Sequence, residues 1–132
     1  MYLIDTNVWL ELLLEQDEAD DVRRLLIQAN PATLHITEFT WYSIGIILLK
    51  LKKTEVLRRF ITDTLLDGGV SLIRLSPADL SALLACAERF GLDFDDAYQY
   101  VAADTQGLTI VSFDADFDRT ERGRLHPAAV QP

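Results

Sequence analysis

"YLIDTNVWLEL" (residues 2–12) decides how the rest of the chain is read. Tyr2, Leu3 and Ile4 form a short apolar run of the kind buried in a parallel sheet, and Asp5 ends it. From Thr6 onward, apolar residues recur at helical spacing through Val8, Trp9, Leu12 and Leu13. A carboxylate therefore stands where a buried strand passes into a helix. Aspartate caps helices well, which would explain one such residue. It does not explain further acids at the ends of other strands.

The pattern of strand followed by helix continues outward from this stretch. "DEADDVRRLLIQAN" reads as a second helix, acidic at its start and stopped by Asn30-Pro31. "TLHI" (33–36) is a strand, and Thr37 is placed to cap a long helix running to about Lys52. "TEVLRRFITDTLLDG" is the next helix, closed by Gly68-Gly69, and "VSLIRL" (70–75) the next strand. Ser76-Pro77 opens "ADLSALLACAERFG", with Pro at the first helical position and Gly91 just past the end. "DFDDAYQYVAADTQG" is a further helix, followed by the strand "LTIVS" and the acidic turn "FDADFDR". The terminal "RLHPAAVQP" is read as a last edge strand or a tail, its Pro127 and Pro132 arguing against regular pairing. Near-continuously apolar strands alternating with helices specify an α/β fold. The expectation is a three-layer α/β/α sandwich around a central, mostly parallel sheet of 4-5 strands, with residues 1–132 as a single domain.

The chain has 132 residues, 49% of them hydrophobic, enough for a core without disulfides or structural zinc. Its single cysteine, Cys86, sits in a helical apolar run and reads as a small buried hydrophobe. The apolar run 39–49 is too short to span a bilayer of about 30 Å, and no basic leader opens the chain, so a cytoplasmic location without membrane association is expected. The net charge of −9 argues against a broad phosphate-binding surface. The charge is segregated, however. Residues 93–118 carry seven aspartates and no Lys or Arg, whereas 50–59 carry Lys50, Lys52, Lys53, Arg58 and Arg59, read as the exposed side of two helices.

In open parallel sheets ligands bind beyond the carboxyl ends of the strands. Asp5 follows the first strand and Asp114 the last, Asp116 comes two residues later, and Asp96 opens a helix that starts at the same end of the domain. Four converging carboxylates repel one another, and a hard divalent cation is the simplest way to hold them ionised. Magnesium or manganese suits such oxygen ligands.

"LIDTNVWL", "DFDDAYQYVAA" and "TIVSFDADF", taken together and in this order, resemble the three acidic motifs of the PIN domain family, which includes VapC-type toxins of bacterial toxin–antitoxin pairs. The resemblance covers essentially the whole chain. It implies that Asp5, Asp96, Asp114 and Asp116 hold one or two Mg²⁺ or Mn²⁺ ions that activate water against an RNA phosphodiester. It places Thr6, Asn7, Ser43 and Ser112 as supporting residues around them. It also implies a ribonuclease with RNA as substrate, an antitoxin protein as partner, and a homodimer in which the exposed part of "WYSIGIILL" packs on a second copy.

One position departs from the family pattern. Where PIN nucleases usually carry a glutamate, this chain aligns Ser43. Glu38 is five residues earlier, about 500° around a helix and so about 140° away from that direction, and does not replace it. Glu11, on the first helix, is the other candidate replacement. Loss of a carboxylate weakens the hold on a dication, so a PIN-like domain with weakened or lost catalysis, acting in binding or regulation, stands as the alternative. A haloacid-dehalogenase-type phosphatase also begins strand-Asp-x-Asp. Here Asn7 takes the second acidic place, and no lysine lies between Arg89 and the C-terminus. Neither G-x-G-x-x-G nor a P-loop occurs.

Overall fold

The apolar triplets Tyr2–Ile4 (β1) and Thr109–Val111 (β4) lie side by side in the computed structural model, which describes residues 1–131. Leu34–Thr37 (β2) flanks β1 on its other side, and Ser71–Ile73 (β3) forms the edge next to β2. The order is β3-β2-β1-β4 and every pairing is parallel, as near-continuous apolar strands require. The sheet therefore has four strands. The segment expected to add an edge strand or tail contributes one parallel bridge, Val111 with Leu125, before Pro127 turns the chain into a 3₁₀ turn, Pro127–Ala129. Pro132 lies outside the described residues.

Six α-helices cover the sheet among the described residues: Thr6–Leu13 (α1), Ala19–Gln28 (α2), Glu38–Lys50 (α3), Thr54–Phe60 (α4), Leu80–Phe90 (α5) and Phe94–Gln106 (α6). Strand alternation divides the core between two faces. Ile4, Leu34, Ile36 and Val111 point to the side covered by α1–α4, where Val8, Trp9, Ile44, Leu48 and Phe60 pack against them. Leu3 and Ile110 point to the side of α5 and α6, against Leu83, Ala97, Val101 and Phe117. This is the three-layer sandwich read from the sequence. Burying each of the larger of these side chains contributes about 1.5–3 kcal/mol, so the two half-cores hold the sheet rigid between them.

Helix ends follow the local chemistry. Thr37 caps α3, its Oγ1 accepting from the Thr40 N–H at 3.0 Å, and Gly91 closes α5 with φ +63°. The helix read as continuous over 54–68 changes at Ile61 into a wider π turn, Ile61–Leu66, in which the Asp67 N–H reaches back to the Thr62 carbonyl at 2.8 Å. That turn brings the Asp63 carbonyl to 1.9 Å from where a Cβ on residue 68 would sit, so only glycine fits at Gly68.

The strand order fixes where a site can form. The chain runs from β1 outward through β2 and β3, then returns to add β4 on the opposite side of β1. The switch point lies between β1 and β4, and the loops leaving their carboxyl ends diverge there to leave a crevice.

Candidate metal centre

Asp5 stands at this switch point because β1 ends at Ile4 and α1 begins at Thr6. Its own N–H is tied to the Val111 carbonyl at 3.0 Å, which fixes it against β4. The side chain is buried, 5% exposed, and both oxygens have partners. Oδ1 accepts from the Thr6 N–H at 2.8 Å and from Gln99 Nε2 at 2.9 Å, and Oδ2 accepts from the Ser112 hydroxyl at 2.7 Å. Asp5 is thus the helix cap and a cleft residue at once. Burial pushes its carboxyl above the ordinary value, the hydrogen bonds from Gln99, Ser112 and Thr6 oppose that, and the Asp114 charge adds to it.

Asp96 arrives from the other layer. The α6 cap is Asp93, whose Oδ1 accepts the Asp96 N–H at 3.1 Å, leaving the Asp96 carboxylate free to face the cleft. It is 7% exposed. Burial, then the facing Asp114 carboxylate, and then Asp93 and Asp5 raise its pKa to about 8. Such a group is not held as an anion by its protein surroundings alone.

Asp114 caps the short 3₁₀ turn Ala115–Arg119 that follows β4, its Oδ1 accepting from the Asp116 N–H at 2.8 Å. Its own N–H bonds Ser112 Oγ at 2.9 Å. Ser112 therefore joins Asp5 and Asp114, and Asn7 braces it through an Nδ2 bond of 3.1 Å to the hydroxyl and an Oδ1 bond of 3.3 Å from the Phe113 N–H. The turn brings one oxygen each of Asp96, Asp114 and Asp116 within 4.8 Å of one another. Asp116 is at the solvent edge, paired at 3.1 Å with Arg119, whose other nitrogen donates to the Gly91 carbonyl at 2.8 Å. Stretch 93–118 carries no cation, yet the next residue supplies one to Asp116.

These elements enclose a cleft of about 320 Å³ whose walls include Asp5, Thr6, Asn7, Ser43, Asp96 and Asp114. Of the residues proposed from the sequence, Asp5, Thr6, Asn7, Ser43, Asp96 and Asp114 line this cleft, and Asp116 and Ser112 adjoin them. Asp5 lines the same cleft but is not among the three aspartates whose oxygens meet within 4.8 Å. The two candidate replacements for a glutamate at position 43 are committed elsewhere. Glu11 Oε1 accepts from the Glu18 N–H at 2.8 Å, and Glu38 takes a hydrogen bond from the Tyr42 hydroxyl. Asp104 pairs at 3.0 Å with Arg122, away from the cleft.

Gln99 was not picked out in the sequence. It is 1% exposed, and its amide joins Asp5, Thr37 and Thr40. One signal pointed to it: position 99 is three residues after Asp96 on the same helix, hence on the same face. The donor set fits a hard divalent cation by its chemistry, since three carboxylates offer closely spaced oxygens and one of them resists ionisation without added positive charge. Among the described residues, no helix is long and apolar enough to cross a membrane.

Comparisons with known proteins agree with this architecture. The toxin-antitoxin complex from Klebsiella pneumoniae contains a chain superimposing with TM-score 0.77 at 19% identity, covering 96% of this chain and 98% of that one. FitAcB from Neisseria gonorrhoeae gives 0.76 at 22% identity, covering 98% and 100%. Mycobacterium tuberculosis VapC20, described as a sarcin-ricin loop cleaving toxin, gives 0.80 at 16% identity, covering 96% and 100%. At these identities the likeness is one of fold. No curated protein matches the chain. The family model described as PIN domain matches residues 2–123, nearly the whole sequence, and the chain belongs to the PIN domain family.

Proposed function

We propose that this chain is a Mg²⁺- or Mn²⁺-dependent ribonuclease and the toxin of a toxin–antitoxin pair. The observation that carries the reading is the meeting of Asp96, Asp114 and Asp116 oxygens within 4.8 Å at the switch point, in the cleft that the buried Asp5 also lines. Asp5, Asp96, Asp114 and Asp116 would together hold the ion. A divalent ion bound there supplies Lewis-acid polarisation of a phosphate oxygen and activates water near neutral pH. The remaining work falls to the protein. Ser112 and Asn7 hold Asp5 and Asp114 in register.

The partner and assembly readings have support of their own. The Klebsiella neighbour comes from a toxin-antitoxin complex, which favours an antitoxin partner for this chain. Tyr42, Ile46 and Leu49 project from one face of α3 and are all more than half exposed, which favours a homodimer through that face.

A second reading has one specific observation in its favour. Ser43 lines the cleft where a glutamate would complete the acidic set, which favours a PIN domain with weakened catalysis acting by binding. Cleavage assays on RNA in Mn²⁺ separate the two. Cleavage by the natural chain that Asp114→Asn abolishes supports the nuclease. Cleavage that appears only in Ser43→Glu supports the second reading. No cleavage by either removes the first.

A further inference from the structure

Gln99 occupies the one point where both helical layers and the floor of the cleft meet. It lies on α6, and its side chain reaches Asp5 at the end of β1 and Thr37 and Thr40 at the start of α3. A buried amide in such a place carries information, because each of its three polar contacts has a fixed sense. Nε2 is the end that faces Asp5, at 2.9 Å, the sense that a carboxylate oxygen accepts. The second Nε2 proton goes to Thr40 Oγ1 at 2.8 Å. Oε1, which has no proton, takes the Thr37 hydroxyl at 2.8 Å. The amide is held from both sides, its nitrogen by Asp5 and Thr40 and its oxygen by Thr37.

We propose that Gln99 is a positioning residue for the metal centre: its clamped amide fixes the orientation of the Asp5 carboxylate in the cleft it shares with Asp96 and Asp114. The proposal rests on the metal-dependent reading above. Three features support it over a purely packing role. Gln99 is 1% exposed, so nothing but these partners satisfies its polar atoms. Asp5 receives its other bonds from Thr6 and Ser112, both part of its own strand-end neighbourhood, whereas Gln99 is the donor that arrives from the helix carrying Asp96. One side chain thereby couples the positions of the two carboxylates. An apolar residue of similar length would fill the same volume and leave Asp5 with a free lone pair and freedom to turn.

The test is manganese affinity, measured by calorimetry on the natural chain, Gln99→Met and Gln99→Glu. It is run at a temperature where circular dichroism and a melting curve show each variant folded. Loss of an orienting partner behind a metal ligand weakens binding by about 10–100-fold, so both variants should bind Mn²⁺ at least about tenfold more weakly. A packing role would lower the melting temperature and leave the dissociation constant unchanged, and that result in either folded variant overturns the proposal. If neither folds, Thr37→Val decides, since it keeps the Gln99 amide and removes the hydroxyl that clamps its oxygen. Weaker binding supports the proposal, and natural affinity overturns it. Natural affinity in the variants with firm binding by the natural chain removes this inference alone. A natural chain that binds no manganese removes the metal-dependent reading and this inference with it.

Discussion

Gln99 and Asp5, separated by 94 positions in the sequence, are joined by a hydrogen bond of 2.9 Å at the floor of the cleft. Through that contact, the end of the first strand is tied to the helix that carries Asp96. The acidic trio of that cleft is therefore held by the scaffold and not by flexible loops alone, and its energetics are open to direct measurement.

Charge neutralisation within the trio should be visible in stability. Above about pH 8, where Asp96 is ionised, Asp114→Asn removes the like charge facing it, so without metal the variant should there be as stable as the natural protein or more stable, by about 1 kcal/mol. With Mn²⁺ present the order should reverse, because the natural chain gains binding energy and the variant does not. Urea unfolding with and without Mn²⁺ measures both.

The raised pKa of Asp96 fixes the direction of a pH dependence. In the folded protein Asp96 titrates at about 8, against an ordinary value of 3.8. Between those values the folded state holds a proton that the unfolded chain has released, so stability falls as pH rises. The contribution is fully present below about pH 4 and is lost as pH passes through about 8. Metal-free protein should therefore lose up to about 1.4 kcal/mol per pH unit inside that window, less where other groups compensate. Asp96→Asn should flatten the slope. Chelator-treated samples unfolded in urea at several pH values give the comparison.

Phe117 is fully buried and lies in the Ala115–Arg119 turn that shapes Asp114 and Asp116. Phe117→Ala should cost about 3–5 kcal/mol of stability through the cavity it leaves. It should also weaken manganese binding, because the turn loses its anchor while all four aspartates stay in place. Denaturant unfolding and calorimetry on the same sample measure the two effects.

Ser43→Glu adds a further acid to a cleft wall that already carries five, Asp5, Asp93, Asp95, Asp96 and Asp114. Without metal it should lower stability by about 1 kcal/mol through repulsion with Asp96 and Asp114. With Mn²⁺ it should raise affinity by about tenfold, as an additional oxygen donor completes the set. Melting curves in chelator and in Mn²⁺ should therefore move in opposite directions. Movement in the same direction would place residue 43 outside the reach of the ion.

Much of this was legible in the sequence, for identifiable reasons. Strand and helix patterns with capping residues located the sheet, and the rule that sites form at strand ends placed Asp5 and Asp114 together. Asp96 was legible as well, and Asp93 proved to be the cap that frees it. The parts that escaped depend on contacts across layers. Gln99 reads as an ordinary polar residue on a helix until its face is matched to that of Asp96. Thr37 was legible only as a cap, although its hydroxyl also holds Gln99. Arg119 fell one residue beyond the acidic stretch, and only the 3₁₀ turn brings it back to Asp116. The π turn after Phe60 left no mark in periodicity, because its residues keep helical spacing while the hydrogen bonds widen.

The most direct test of the central claim is anomalous scattering from a crystal grown or soaked in manganese. The expected result is a manganese peak in the cleft, bonded to carboxylate oxygens of the Asp5, Asp96, Asp114 and Asp116 set. A peak held by other residues, or an acidic cleft that stays empty while manganese binds elsewhere on the chain, would contradict it.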